Sequence, residues 1–516
     1  MAGVSQPAEL QVAPTETAPP PRWIAPWLAL LAPLYVISPL ALLALPQLRR
    51  LSTTAKYILA FYAVSQQLPA LFSPEPLLAS GLALARTLLM FGLMGVGVAL
   101  GSSDRLKPFA IGLGVVFITA IVYSVLGGAD VLTSRLGHPY MTSITLGLGG
   151  AFGVWIALFS SGRLLWRIPL GLGGIAVLLL SGSRGPLAAA LVGCLAGFVI
   201  QRGRRVAIAL LLGAGLLAGG VYIGGRLGVS AIARLGNADT TGRDIIWHNT
   251  LTVIQSQRWT GVGSYRLGKY LTSSGNSCTL FPNANGRTSS CPTWLKNLGN
   301  PWLIAHNATL QQLAESGPLG LMGLLLLLGT IILCGLNGRN PLSIAATTGL
   351  VISSINDNTL IVPSPFFAEC FWIFSGICLK NTVKFQYKNQ IVFLITSILI
   401  SAPLYFNLFN SSSISLVKIY LLDKSNTVRS YEDYTVLTGL TVSPGQYRLI
   451  LESCSIYCVE VAESRFTTVE KNAQIIHLSG SLLKQRKQII KLKLYDLISN
   501  WNIRPVAETS WEVIFK

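Results

Sequence analysis

Few residues in this sequence are of the types that carry out chemistry, and one of them is a histidine. Only four histidines occur among 516 residues, and His306 lies with Asn307 shortly before the apolar run 321–336. An imidazole accepts a proton near neutral pH, so a histidine at the edge of an apolar segment is a candidate general base. Such a histidine is also often structural, and that alternative stays open. We predict that His306 is catalytic and that Asn307 helps to orient a substrate.

Two arginines occur where the sequence predicts that helices begin. Arg184, in Ser183-Arg184-Gly185, separates two apolar runs, and Arg243 opens an amphipathic stretch that ends near residue 257. Backbone N–H groups at a helix N-terminus and a guanidinium group together form a good site for phosphate. We predict that both arginines bind an anionic group of a substrate. For Arg184 the alternative is an interfacial anchor whose charged end reaches water.

Two acidic residues belong to the same set of candidates. Glu315 follows His306 by nine residues, so on one straight helix it faces away from that histidine. It could cap a helix, pair with an arginine or orient a substrate. Asp357 and its two asparagine neighbours interrupt the apolar run 341–362, where polar groups are functional candidates and a substrate-orienting role is open. No spacing of histidine, cysteine and carboxylate residues resembles a metal site, and we expect no metal ion or other cofactor.

The composition indicates what kind of structure must hold these residues. The chain is 51% hydrophobic, its mean hydropathy is +0.56, and 11% of its residues are charged, against about 25% in an ordinary soluble domain. This low charge excludes a soluble nucleic-acid-binding protein and a disordered chain. Eight cysteines are too few for a disulfide-dense scaffold. A polytopic membrane protein remains, with membrane lipids as partners and no nucleic acid.

Twelve apolar runs indicate membrane helices. They are 23–48, 54–72, 77–100, 108–127, 141–160, 167–182, 186–201, 205–224, 318–337, 341–362, 365–380 and 390–408. The first run contains four prolines, so it is either one kinked helix or a hairpin of two short helices. The sequence therefore predicts an all-α polytopic membrane protein with about 12 or 13 transmembrane helices.

The distribution of lysine and arginine predicts the orientation. Loops rich in these residues alternate along the chain with loops that are poor in them, and the basic loops are expected in the cytoplasm. Residues 225–305 and everything after 408 then face outward. Residues 1–22 are rich in proline and alanine and have no basic region leading into a cleavable apolar run. We predict that they form a disordered tail rather than a signal peptide.

The long outward-facing loop has two unusual features. Residues 225–305 contain eight basic and two acidic residues, a net charge of +6 that suits an anionic substrate or, alternatively, anionic lipid headgroups. Cys278 and Cys291 lie in the same loop and are separated by twelve residues. In an oxidising compartment we interpret this pair as a disulfide candidate, with two free thiols as the alternative.

After residue 408 the sequence pattern changes to short β-rich runs with turn signals between them. These runs are 434–442, 446–453, 456–462, 465–470, 474–479, 489–496 and 511–515. We predict a small β-rich extramembrane domain at 409–516. Residues 23–408 form the predicted transmembrane domain, including a large loop at 225–317.

Three motifs together resemble the O-antigen ligase/polymerase superfamily of bacterial inner-membrane glycosyltransferases, over roughly residues 20–380. His306-Asn307, followed by Gly317 and Gly320, resembles the family's histidine motif that leads into a membrane helix. Ser183-Arg184-Gly185 resembles its Ser-Arg-Gly turn between two spans. Gly242-Arg243 through Trp247, followed by Gly261-Val262-Gly263, resembles the arginine region of its large periplasmic loop.

This resemblance implies a C-type glycosyltransferase-like fold in the inner membrane, with the active face and the C-terminal domain in the periplasm. It implies metal-independent transfer of a glycan from undecaprenyl diphosphate to an acceptor hydroxyl. His306 would be the catalytic base, and Arg184 and Arg243 would hold the diphosphate. The span 390–408 and the tail depart from the family core, which usually ends after the span at 365–380.

Several functions remain open at the level of sequence. The acceptor could be lipid A–core, another lipid-linked repeat unit or a protein, which correspond to a ligase, a polymerase and an O-oligosaccharyltransferase. A transporter of lipid-linked glycans would place ionisable groups near the middle of the membrane, and only Arg86 lies deep in a predicted span. A non-catalytic anchor for the tail is a third possibility. The polar cluster on one outer face favours an enzyme.

Overall fold

The computed structural model describes a mostly helical protein. The described residues are 19–128, 135–161, 163–202, 215, 243–271, 277–282, 288–290, 303–364, 366–380 and the strands between 416 and 514. Among them, four helices are long and apolar enough to cross a membrane: Pro76–Leu100, Ser103–Leu126, Arg184–Gln201 and Ala308–Gly338. Three shorter helices are also apolar: Ser143–Phe159, Leu164–Leu180 and Pro341–Ser353. The total of 12 or 13 spans stays a prediction, and the runs 205–224 and 390–408 lie outside the described residues.

The described residues form twelve α-helices and two 3₁₀ segments. In chain order they are α1 (Ile24–Leu31), a 3₁₀ helix (Tyr35–Arg50), α2 (Thr53–Leu71), α3 (Pro76–Leu100), a 3₁₀ turn (Ser103–Leu106), α4 (Lys107–Leu126), α5 (Ser143–Phe159), α6 (Leu164–Leu180), α7 (Arg184–Arg202), α8 (Arg243–Ser256), α9 (Leu267–Tyr270), α10 (Ala308–Gly338), α11 (Pro341–Ser353) and α12 (Phe367–Lys380).

The proline-rich first run forms two segments rather than one kinked helix. The chain turns at residues 32–34, and the indole N–H of Trp27 donates to the carbonyl oxygen of Ile37 at 3.0 Å. The first segment packs on α4 and the second on α3. Gly92 and Gly95 of α3 lie against the backbone of the second segment, because only residues without a side chain allow two helices to come so close.

The helix α10 bends sharply at Gly317-Pro318. Pro318 has no N–H to donate to the carbonyl oxygen of Ala314, and Gly317 has a φ of 61°, so the helical hydrogen bonds are interrupted there. The freed carbonyl oxygens of Ala314 and Glu315 accept from the N–H groups of Val262 and Gly263 at 2.9 and 2.8 Å. The bend therefore provides the docking site for the segment 259–263, which follows α8.

We expect Gly317→Ala to destabilise the protein by more than about 1 kcal/mol, because a residue with a Cβ is strained at this φ. The added Cβ would also overlap the carbonyl group of Trp259. The measurement is thermal unfolding of the purified protein in detergent. The matched control is Gly81→Ala in α3, where no heavy atom lies within 4 Å of the new Cβ. Equal melting temperatures for the two variants would contradict the structural role of Gly317.

Strands occur in two places. The antiparallel pair β1–β2 (Ser277–Pro282 and Thr288–Ser290) lies between α9 and α10 in the chain, and β3 to β9 lie after residue 415. The later strands are arranged in the orders β3-β4-β7 and β6-β5-β8-β9; they are β3 (Leu416–Leu422), β4 (Tyr434–Thr441), β5 (Gly445–Cys454), β6 (Cys458–Thr468), β7 (Ala473–Gly480), β8 (Lys487–Asp496) and β9 (Ala507–Ile514).

All seven predicted β-rich runs overlap these strands. The runs 456–462 and 465–470 belong to the single strand β6, and β3 was not predicted. In the antiparallel register of β5 and β6, Cys454 lies opposite Cys458, which a straight strand would not allow. These strands do not by themselves support an independent β-rich domain, so the domain at 409–516 stays a prediction.

Candidate active site

The carboxylate of Asp357 contacts both His306 and Arg243. Its Oδ1 lies 3.1 Å from Nδ1 of His306, and its Oδ2 lies 4.0 Å from Nη2 of Arg243. These three residues come from separate parts of the sequence, and the sequence analysis had identified each of them. All three side chains keep part of their surface accessible, with 35% of His306, 25% of Arg243 and 12% of Asp357 exposed. The structure thus joins a candidate base and a candidate anion-binding cation through one carboxylate.

The beginning of α10 is attached to the turn that follows α11. Asn307 is the N-cap residue of α10, where its side chain accepts from the N–H of Leu310 and donates to the carbonyl oxygen of Ile355, both at 2.9 Å. The N–H of Ala308 donates to the carbonyl oxygen of Ser354 at 2.9 Å. His306, between the long loop and this cap, has a φ of 49° in the left-handed region. These bonds fix the backbone on which the imidazole is mounted.

The carboxylate determines how the imidazole can act. An ionised carboxylate is only an acceptor, so Nδ1 of His306 must be the donor in the contact with Asp357. When the imidazole is neutral, the other ring nitrogen, Nε2, then carries the lone pair that can take a proton. Asp357 itself is held in place, because its N–H donates to the carbonyl oxygen of Ser353 at 3.0 Å and its Oδ1 accepts from the N–H of Asn358 at 2.8 Å.

Arg243 is the first residue of α8, as the sequence predicted. Trp247 lies one turn later on the same helix, and its buried indole Nε1 has no hydrogen-bond partner among the described residues. The buried Oγ of Ser353 and Oδ1 of Asn358, on the turn that carries Asp357, are also without a described partner. Buried polar atoms usually have partners, so these three atoms stand out among the described residues.

Arg184 starts the helix α7, which confirms the predicted helix start. The side chain of Arg184 is exposed. The helix packs along α11, and a Cβ placed on Gly185 would lie 3.9 Å from the Oγ of Ser353. The N-terminus of α7 therefore lies beside the turn that carries Asp357. The described contacts bring the backbone at Arg184 to this turn, and its role in anion binding stays a prediction.

A comparison with known protein families found a match in this part of the chain. Residues 169–325 match the family model described as O-antigen ligase. The chain contains an O-antigen ligase family domain. The matched range includes Arg184, Arg243, His306, Asn307 and Glu315, whereas Asp357 lies beyond it. No curated protein matched the chain.

Glu315, which lies in the matched range, forms an ion pair with Arg86. Pairing with an arginine is one of the three roles that the sequence left open for it. The two side chains form a direct ion pair between α10 and α3 and are almost completely buried. Glu315 also accepts from Nε2 of Gln311 at 2.6 Å and from the N–H of Tyr265 at 2.9 Å. The guanidinium of Arg86 lies 4.1 Å from the centre of the Tyr265 ring. These contacts favour a structural role for Glu315 over a substrate-orienting one.

We expect Glu315→Gln to destabilise the protein by about 3 to 5 kcal/mol, because it leaves the charge of Arg86 buried without a counter-charge. Thermal unfolding in detergent measures the effect. The double variant Arg86→Met/Glu315→Leu removes both charges and should recover most of the loss. If the double variant were less stable than the single variant, the ion pair would not be the source of the effect.

A second ion cluster, which the sequence analysis did not identify, ties the long loop to α3. Glu75, the residue before α3, pairs with Lys269 and with the buried guanidinium of Arg266. The hydrogen bond from the ammonium of Lys269, together with the positive charge of Arg266, holds the pKa of the Glu75 carboxyl below its usual range. The sequence contained only a weak indication of this cluster. Glu75 is the only charged residue in a short predicted outer loop, and the long predicted outer loop has a net positive charge.

The lowered pKa of Glu75 predicts a pH dependence of stability. A carboxyl whose pKa is lower in the folded state contributes stability that is present above its unfolded pKa and is lost as the pH falls through the folded pKa. Wild-type protein should therefore lose more thermal stability between pH 6 and about pH 3.5 than Glu75→Gln does. Parallel melting curves of the two proteins over this pH range would refute the proposed linkage.

The cysteine predictions have different outcomes. Four cysteines predicted to be small buried residues are buried: Cys194, Cys334, Cys370 and Cys378. The disulfide candidate cannot be assessed in the same way, because Cys291 and the side chain of Cys278 lie outside the described residues. Within the described part of the domain, no group of three or more histidine, cysteine or acidic residues has the arrangement of a metal site.

Proposed function

We propose that this protein is a membrane glycosyltransferase that moves a glycan from undecaprenyl diphosphate to an acceptor hydroxyl group. The observation that carries the proposal is the contact of Asp357 with both His306 and Arg243. This contact brings a candidate base, His306, and a cation, Arg243, together at one partly accessible site. The range matched by the O-antigen ligase family model includes both residues. The family likeness also supports, as part of the proposal, a C-type glycosyltransferase-like fold.

The proposed reaction is a single displacement at the anomeric carbon of the donor sugar. Nε2 of His306 takes the proton of the acceptor hydroxyl as the acceptor oxygen forms its bond to that carbon. The bond between the carbon and the diphosphate oxygen breaks, and the diphosphate leaves with its electron pair. Arg243 and Arg184 neutralise the negative charge of the leaving group, each at the N-terminus of a helix. Two guanidinium groups can supply this charge without a metal ion.

Within this scheme Asp357 is a positioning residue that holds His306 in the tautomer with Nε2 free. Asn307 positions the same histidine through its bonds to α10 and to the carbonyl oxygen of Ile355. We place the site in the periplasm and the protein in the bacterial inner membrane. The described basic residues Arg105, Lys107 and Arg163 lie at the opposite ends of the helices from His306, as the positive-inside rule requires for that orientation.

The proposal predicts that His306→Ala and Arg243→Ala each lower glycan transfer at least about 100-fold, because each removes a group needed in the transition state. The assay is complementation of a strain that lacks its surface-glycan ligase, with membrane levels of the variants checked by immunoblot. Arg243→Lys should also impair transfer, because lysine cannot form a bidentate contact. Arg258→Ala, an exposed residue two positions after α8, is the matched control.

Full activity of His306→Ala would exclude the catalytic mechanism and favour a non-catalytic membrane anchor. Asp357→Asn separates positioning from folding, because the amide oxygen can still accept from Nδ1 of His306 but carries no charge. We expect this variant to reach normal membrane levels and to lose activity. If the Asn variant transferred glycan at the wild-type rate, Asp357 would have no part in positioning the base.

The complementation assay also identifies the acceptor, through the products that it leaves. We propose lipid A–core as the acceptor, with a polymerase or a protein O-oligosaccharyltransferase as the alternatives. Loss of all long chains from lipid A in gel electrophoresis indicates a ligase, a single remaining repeat unit indicates a polymerase, and loss of glycan from a protein indicates the third activity. A transporter of lipid-linked glycans would instead leave transfer intact when the donor is supplied on the outer face.

A further inference from the structure

A polar cavity lies at the opposite end of the helical bundle from His306. It has a volume of about 390 Å³ and lies between the beginnings of α4 and α6 and the end of α5. Ser103, which lines it, exchanges hydrogen bonds of 3.0 and 3.1 Å with Asn340, just beyond the C-terminal end of α10. His306 precedes the N-terminal end of the same helix. The cavity is therefore separate from the candidate active site.

The cavity is lined by two cations and several hydroxyl groups. Lys107 is the first residue of α4, and Arg163 immediately precedes α6, so each cation lies at a helix N-terminus. Asp104 is the one acidic residue that lines the cavity. Its carboxylate already accepts hydrogen bonds from the N–H and the hydroxyl of Ser161, at 3.2 and 2.6 Å. Within the described residues, neither Lys107 nor Arg163 forms an ion pair with a carboxylate. The cavity therefore has the positive charge and the helix N-termini that suit a phosphate group.

The surroundings of the cavity are those of a membrane boundary. Trp166 lines it, and tryptophan is enriched where headgroups meet the hydrocarbon region. On the same helix Leu164 and Leu165 are 64% and 85% exposed, as expected of side chains that contact acyl chains. Arg167 holds α6 against the end of α5 by donating to the carbonyl oxygens of Ala157 and Leu158 at 2.8 and 3.0 Å. The cationic cavity thus lies next to an exposed apolar surface.

We propose that this cavity binds the phosphate headgroup of an anionic phospholipid from the leaflet opposite the active site. Lys107 and Arg163 contact the phosphate, the backbone N–H groups at the N-terminus of α6 supply hydrogen-bond donors, and Trp166 packs against the upper part of the lipid. The volume lies in the range of about 300 to 1,000 Å³ that is usual for small-molecule sites. Basic pockets between membrane helices are suited to such headgroups.

Native mass spectrometry of the full-length protein in detergent tests this proposal. The protein is titrated with phosphatidylglycerol and, separately, with phosphatidylcholine. We expect one phosphatidylglycerol to bind most tightly, and the double variant Lys107→Gln/Arg163→Gln to lose at least ten-fold in affinity for it. The matched control, Arg49→Gln/Lys56→Gln, removes the same charge from exposed residues outside the cavity and should bind that lipid as wild type does.

Equal lipid binding by the cavity variant and wild type, or an equal loss in the control, would overturn the proposal. Inorganic phosphate at millimolar concentration is added as a competitor. If phosphate binds and displaces the lipid, the cavity is a site for a free anion and the lipid assignment is overturned. The single variants Lys107→Gln and Arg163→Gln, each with an intermediate loss, serve if the double variant does not fold. Because lipid binding is measured without glycan transfer, the outcome is independent of the proposed catalytic function.

Discussion

The break in α10 at Gly317-Pro318 is the constraint on which the arrangement of the site depends. A membrane helix cannot leave its carbonyl groups without donors in an apolar environment, and here the missing donors come from Val262 and Gly263 of the long loop. The loop is thereby attached to the same helix that begins just after His306. Since α8 precedes this docked segment, the bend also limits where Arg243 can lie relative to the histidine.

Charge burial near the bend reinforces the attachment. The pair formed by Arg86 and Glu315 costs desolvation energy, and that cost is offset by their mutual attraction, by the contacts of Glu315 with Gln311 and Tyr265, and by the stacking of Arg86 on the Tyr265 ring. The Glu75 cluster attaches the next part of the loop to the beginning of α3. A long loop is thus attached at several points to the helices that carry the site.

The two ends of the helical bundle have different chemistry. At one end, a carboxylate connects an imidazole and a guanidinium, and nearby buried polar atoms have no described partner. At the other end, two cations that pair with no described carboxylate line a cavity beside exposed leucines. The first arrangement suits a reaction that moves a proton and releases an anion. The second suits the binding of a membrane lipid, whose headgroup stays in place while its acyl chains remain in the bilayer.

The sequence by itself determined the membrane class, the helix starts at Arg184 and Arg243, and the candidate status of His306 and Asp357, because hydropathy, N-terminal capping and isolated polar residues are local properties. It did not determine whether the proline-rich first run folds as one segment or two, because proline permits both and packing on α3 and α4 decides. It left the role of Glu315 open, since the position of Arg86, more than 200 residues earlier, is set by helix packing. The joining of His306, Arg243 and Asp357 was decided only by tertiary structure, because it depends on a bent helix that brings three distant segments together.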